Sequence, residues 1–181
     1  MQLTVHDMAF GGKGVGRADG MVVFVPFTIP GETVEVAVTR KKKSYAEARL
    51  VLVQTPSPDR VDPPCPYFGQ CGGCAYQHIA YPAQLKIKEK QVTDTLRRVG
   101  KKTEVPMRPI IPSPKPYEYR NRIRVHVTGN RVGFYDINNR VMDIGQCLIA
   151  APEVNQRLQE LRGKPVPEGD YTLSQRTSRF F

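Results

Sequence analysis

The run Thr33-Val34-Glu35-Val36-Ala37-Val38 alternates with period two, the pattern of a strand that turns one face to a core. Reading outward from it, Leu3-Thr4-Val5, Met21 to Phe27 and Ala46 to Val53 make three more strands, and Gly31-Glu32 after Pro30 supplies a turn. Breaks fall every ~8–12 residues, and no helical periodicity competes. So short a sheet leaves edges open unless it closes on itself, which predicts a small closed barrel of the oligonucleotide-binding type.

Gly11-Gly12-Lys13-Gly14-Val15-Gly16 resembles a phosphate loop only superficially. A P-loop needs Ser or Thr after its Lys and a helix to follow, whereas Gly14 and strand-like sequence follow here. These glycines are expected to serve barrel turns that need positive φ.

At 181 residues, the chain has room for one ordinary domain or two small ones. The longest apolar run, Met21-Val22-Val23-Phe24-Val25, is far short of a membrane span. Met1 to Asp7 has neither a basic start nor an apolar core, so a signal peptide is not expected and a cytoplasmic setting is. Net charge is +10, unevenly spread: residues 1–60 carry 8 basic and 6 acidic side chains, residues 82–131 carry 13 and 4. Such a local excess predicts a polyanionic partner, RNA before membrane, with a merely solubilising surface as the alternative.

After the barrel, Gln54 to Pro64 holds four prolines in eleven residues and is expected to run extended. Pro82 to Val99 has helical periodicity, with Leu85, Val92, Leu96 and Val99 as the inward stripe and Gly100 as the stop. Thr103 to Tyr119 is proline-rich and should be looped. Asn121 to Val127, a Gly129-Asn130 turn and Arg131 to Asp136 read as a hairpin, and Pro152 to Leu161 as a second helix with Val154, Leu158 and Leu161 inward. The chain thus reads as β-rich α+β: a barrel over residues 1–56 and a small α+β domain over residues 57–181.

Three of the four cysteines, Cys65, Cys71 and Cys74, fall within ten residues, and Cys147 stands alone. Clustered cysteines in a reducing compartment usually hold metal. A four-thiolate zinc site typically uses two C-x2-4-C pairs, and only Cys71/Cys74 makes one. Iron–sulfur clusters often take three close cysteines and one remote, and Gly72-Gly73 would let the backbone fold around inorganic sulfide and aim N–H groups at it. Zinc and a disulfide remain alternatives on spacing alone. His78, just after the run, is a candidate partner of that centre, although such a histidine is more often an ordinary polar contact.

Several stretches resemble the iron–sulfur RNA uracil-C5 methyltransferases of the 23S ribosomal RNA m5U type. They are Val25-Pro26-Phe27 with Gly31-Glu32, Ser57-Pro58-Asp59-Arg60, Cys65 to Cys74, Gln77-His78, Tyr81 with Gln84-Leu85 and Lys88, Tyr119-Arg120-Asn121, and Gly133-Phe134-Tyr135 leading to Ile144-Gly145-Gln146-Cys147. The resemblance implies an N-terminal TRAM domain, a central iron–sulfur domain, and a 4Fe–4S cluster on Cys65, Cys71, Cys74 and Cys147. In that family a separate domain binds S-adenosylmethionine and a further cysteine attacks uracil C6. Neither is found here, so no catalytic residue is assigned, S-adenosylmethionine is not expected to bind this chain, and the chain alone is expected to be inactive. The ending Arg176 to Phe181 resembles the approach to the family's Phe-x-Gln-x-Asn stretch, which would make Phe180 a base-stacking residue.

The expected partner is RNA, ribosomal first and transfer RNA second, with no membrane and a monomeric chain. Arg40, Lys41, Lys42, Lys43 and Tyr45 suit phosphates and one stacked base. Arg120, Arg122, Arg124 and His126 alternate along the hairpin strand, a like-charged row that calls for an anionic neighbour. Two rival readings are a standalone zinc- or cluster-stabilised RNA-binding accessory protein and an electron carrier.

Overall fold

A computed structural model describes residues 1–175, and Phe180 lies outside them. Two compact units emerge: Met1–Pro64 with Ala75–Pro112, and Cys65–Cys74 with the chain from Ser113 on. The expected boundary after residue 56 differs from this division. Met8 and Ile29 of the barrel region form one buried cluster with Ile79 and Ala83, flanked by Tyr76 and Ile87, which draws the first helix to the barrel.

The first unit is built on a closed barrel of β1 (Gln2–Met8), β2 (Lys13–Ala18), β3 (Met21–Pro26), β4 (Thr33–Lys41) and β5 (Tyr45–Thr55), in the order β1-β2-β3-β5-β4 with β1 pairing β4 to close it. Alternation in the sequence places Leu3, Val5, Val23, Val25, Val34, Val36, Ala46 and Ala48 inside. Val38 breaks the expected alternation. The β4–β5 register shifts between Val38 and Arg40, and Val38 turns outward.

β2 is a strand where turn glycines were expected. Gly11 and Gly12 do turn, with φ of 93° and 88°. Gly14 and Gly16 lie within β2 and serve close approach instead: a Cβ on Gly16 would sit 2.6 Å from Leu3 Cγ, and one on Gly14 would collide with Thr28 Oγ1.

The proline-rich linker is pinned rather than merely extended. Arg60 N–H closes a turn on Ser57 O at 3.0 Å, and Arg60 forms an isolated antiparallel bridge with Ile79. Its guanidinium meets the fully buried Glu32 carboxylate through Nε at 2.5 Å and Nη2 at 2.8 Å. Helix α1 (Tyr81–Arg98) follows, with proline in its first turn. Its buried face carries Ala83 and Gln91, with Ile87 partly buried, whereas Val92, Leu96 and Val99 of the expected stripe are exposed. Gln91 wins its place through hydrogen bonds: its amide donates to Met8 O and Ala9 O.

The second unit holds a four-stranded antiparallel sheet, β8-β7-β6-β9, made of β6 (Arg122–Thr128), β7 (Arg131–Tyr135), β8 (Val141–Asp143) and β9 (Gly169–Ser174). Thr128 pairs Arg131 across the expected Gly129-Asn130 turn. Helix α2 (Pro152–Arg162) buries Val154 and Leu158 with Ile123, Val125, Val127 and Ile144 in one core, which Leu161 flanks. β8 and β9 add two strands that the hairpin reading lacked. No described helix is long and apolar enough to cross a membrane.

Candidate thiol centre and nucleic-acid interface

All four cysteines belong to the second unit, and all are free and partly buried. The Cys65–Cys74 loop is built by turns: Phe68 N–H bonds Cys65 O at 3.1 Å, and Cys71 N–H bonds Tyr67 O at 2.8 Å. The loop then adds to the end of β7. Cys71 bridges Asp136, Gly72 N–H reaches Tyr135 O at 3.0 Å, and Ile137 N–H reaches Gln70 O at 3.1 Å. The two glycine amides take different partners. Gly73 N–H lies 3.4 Å from Cys71 Sγ, while that of Gly72 is spent on the bridge.

Burial pushes the Cys71 thiol above its ordinary pKa, the Gly73 N–H opposes this, and the fields of Cys74, Cys147 and Cys65 add to the rise. Burial likewise raises Cys147 against the N–H groups of Ile149 and Ala150, with Cys74 and Cys65 adding to it. Burial also raises the Tyr117 phenol, helped by Cys74 and Cys65. The fields of Cys65 and Cys74 thus reach both Cys71 and Cys147, whose thiolates are costly without a cation. Among the described residues, no three His, Cys, Asp or Glu side chains converge closely enough to hold a single metal ion. The donor set, four sulfurs with N–H groups directed at two of them, fits an iron–sulfur cluster, whose potential such bonds tune.

His78, a candidate partner of the cysteines with an ordinary polar contact as the commoner alternative, belongs to the first unit, where it is buried with its ring edge-on to Phe27. Burial, and next the charge of Arg60, lower its pKa to about 4. It is a neutral core imidazole.

The barrel presents Arg40, Lys41, Lys42 and Lys43 exposed at the β4–β5 connection, where Lys42 N–H bonds Tyr45 O at 2.8 Å. Tyr45 pairs in register with Val22 of β3, and Phe24 meets its ring edge-on at 5.7 Å. Phe24 was absent from the sequence-based set. It faces outward because its neighbours Val23 and Val25 take the core positions. The two rings thus lie on the outside of the barrel, close in sequence to the exposed run Arg40 to Lys43.

In the second unit, Arg122 and Arg124 project from β6 on the face opposite buried Ile123 and Val125. Arg120 precedes the strand, its backbone bonded to Ile149 O and Ala151 N–H. No ion pair among the described residues neutralises Arg122 or Arg124. His126 differs: its register partner on β9, Asp170, lies 2.5 Å from Nδ1, and Tyr135 stacks on it at 4.0 Å. The basic row therefore ends in a His–Asp pair beside an exposed aromatic. Asp170 escaped sequence reasoning because β9 shows no strong alternation: only Leu173 is buried.

Residues 1–51 match the TRAM domain. Over 164 residues the chain is 42% identical to a protein of Aquifex aeolicus named an uncharacterized RNA methyltransferase, covering 90% of this chain and 38% of that protein. A similarly named protein of Halalkalibacterium halodurans is 40% identical over 168 residues, 90% of this chain and 36% of its own length. The chain thus spans little more than a third of these relatives. Among solved structures it resembles the Pyrococcus abyssi tRNA (uracil-54, C5)-methyltransferase in complex with S-adenosyl-L-homocysteine, at TM-score 0.62 and 27% identity, over 90% of this chain and 36% of that one.

Proposed function

We propose that this chain supplies the RNA-recognition and iron–sulfur-binding part of an S-adenosylmethionine-dependent RNA uracil-C5 methyltransferase. The observation that carries the reading is the gathering of four free thiols in one compact unit of a chain whose barrel matches TRAM. Likeness to proteins named RNA methyltransferases supports it independently.

Cys65, Cys71, Cys74 and Cys147 would hold a 4Fe–4S cluster. When bound, the cluster supplies a rigid crosslink and a capacity for one-electron chemistry. The chain's own residues then bind RNA. Arg40 to Lys43 neutralise phosphates, Phe24 and Tyr45 offer faces for stacking, and Arg122 and Arg124 form a second cationic track. Single-stranded or looped RNA is the substrate class, because a uracil must be unstacked for chemistry at C5. With all four cysteines allotted to the cluster, no described residue is assigned as the attacking nucleophile.

The test is anaerobic purification followed by RNA titration. Bound iron and sulfide, absorbance near roughly 400 nm and salt-dependent RNA affinity support the reading. A colourless, zinc-bearing protein that binds RNA would instead favour an accessory factor. Parallel titration with ribosomal RNA fragments, expected to bind more tightly, and with transfer RNA separates the two species.

A further inference from the structure

α2 carries Asn155, Gln159 and Arg162 on one face, at spacings of four and three residues. All three bond back to the segment that ends at Cys147. Arg162 grips the Asp143 carboxylate through Nη1 at 2.5 Å and Nη2 at 2.8 Å and reaches Ile144 O at 3.3 Å. The Gln159 amide donates to Gly145 O, and Gly145 N–H donates to Tyr67 Oη at 3.1 Å. Asn155 acts at the cysteine itself. Its Oδ1 accepts Cys147 N–H at 2.9 Å, and its Nδ2 donates to Cys147 O at 3.0 Å and Ala150 O at 3.2 Å.

A side-chain amide offers a donor and an acceptor side by side, so one Asn can satisfy both backbone groups of a single residue. Ordinary helix capping does not account for this. The N-cap is Ala151, and Asn155 sits a turn inside the helix with its bonds directed outward to the loop. The other three cysteines lie on a loop fixed by its own bridge to the end of β7, with no contribution from Asn155.

We propose that Asn155 is the positioning residue for the remote thiol: by clasping both backbone groups of Cys147 it presents that sulfur to a centre shared with Cys65, Cys71 and Cys74. The proposal rests on the iron–sulfur reading of those four residues. Loss of Asn155 therefore frees one ligand and leaves three in place, which makes the cluster labile.

The experiment uses the full chain, reconstituted anaerobically with ferrous iron and sulfide and then challenged with EDTA while the absorbance near roughly 400 nm is followed. Supporting side chains around metal ligands typically matter by 10–100-fold in affinity, so Asn155→Ala is expected to lose iron about 10–100 times faster than the parent. Asn155→Asp keeps the acceptor but turns a carboxylate towards two carbonyls, and falls on the fast side too. Leu161→Ala is the control, since Leu161 flanks the same core with a side chain that can make no hydrogen bond to the loop. It should lower the thermal midpoint while losing iron within about threefold of the parent rate. Parent-like rates in both Asn155 variants overturn the proposal, as does Leu161→Ala losing iron as fast as they do. A parent chain that takes up no iron and sulfide overturns the iron–sulfur reading itself, a result distinguishable from the other two.

Discussion

Removing the charge of Glu32 tests how the first unit is held together. Its carboxylate is fully buried and has four donors: Ile29 N–H at 2.9 Å, Ser57 N–H at 3.2 Å, and Arg60 through Nε and Nη2. Arg60 Nη2 also donates to the carbonyl of Phe27 at 2.9 Å, a residue held in the left-handed region at φ 63°. Glu32→Gln keeps the size but turns an NH2 group towards donors, so one Arg60 N–H and one of the two buried amides, which share each carboxylate oxygen, lose that acceptor. Breaking a buried pair from one side costs about 3–5 kcal/mol. At about 1.4 kcal/mol per tenfold, amide exchange at Ile29 and Ser57 should accelerate by roughly a hundredfold or more when read by hydrogen-exchange mass spectrometry on the full chain. Acceleration of less than about threefold at both amides would refute the assignment of Glu32 as the anchor.

The same pair sets a pH dependence whose sign can be worked out. Burial pushes the Glu32 carboxyl up, but Arg60 and the two amides outweigh it, and the net pKa is lowered. A lowered carboxyl stabilises the fold above its unfolded pKa, and that stability is lost as pH falls through the folded value. Midpoints of the parent should therefore drop on acidification below pH ~4.5. In Arg60→Met the carboxylate is left buried with its amides alone and its pKa rises relative to the parent's, so the stability lost on acidification shrinks. Parallel pH profiles for parent and Arg60→Met would contradict this.

Replacing Arg122 and Arg124 together by Ala should weaken RNA binding and flatten the log–log salt slope by about 1.4, two contacts at ~0.7 each for a single strand; an unchanged slope removes β6 from the interface. Replacing Phe24 or Tyr45 by Leu should cost about 1–3 kcal/mol of affinity with no change in slope, because stacking is lost and no charge is. Gly16→Ala should destabilise the barrel, since its Cβ would meet three carbons of Leu3 at 2.6–2.8 Å; a thermal midpoint equal to the parent's would show that the strands can separate there without cost.

The barrel was legible because alternation is a backbone property: Val34 and Val36 must share a face if Thr33 and Glu35 share the other. β6 was legible for the same reason, and β7 followed as the return after the Gly129-Asn130 turn, although its own burial does not alternate. α1 was legible as a helix but not in its orientation. Its buried face includes Gln91, whose hydrogen bonds outweigh the apolar preference of Val92 and Leu96, and no helical period signals such bonds. β9 was missed because one buried Leu173 in six residues gives no alternation to count. The cysteines could be chosen by type and spacing, whereas Asn155, Gln159 and Arg162 read as an ordinary solvated helix face. Their roles exist only in side-chain bonds to the segment from Asp143 to Ala150, which no pattern in the sequence signals.

Both units face one difficulty: a short irregular segment must be held rigid beside a core too small to hold it by packing. Each answers with a polar side chain that satisfies backbone groups of the segment. Glu32 receives the N–H groups of Ile29 and Ser57 and draws Arg60 onto the Phe27 carbonyl, and Asn155 takes the N–H and C=O of Cys147. An unsatisfied buried amide or carbonyl costs about 1–3 kcal/mol, comparable to truncating a modest core side chain. The anchors should therefore be as intolerant of substitution as Val25 or Leu158, although they look like surface residues by type. They should also differ from core positions in kind. Shape-preserving changes such as Glu to Gln, which a packing role would tolerate, fail at an anchor, because what it supplies is the direction of its donors and acceptors.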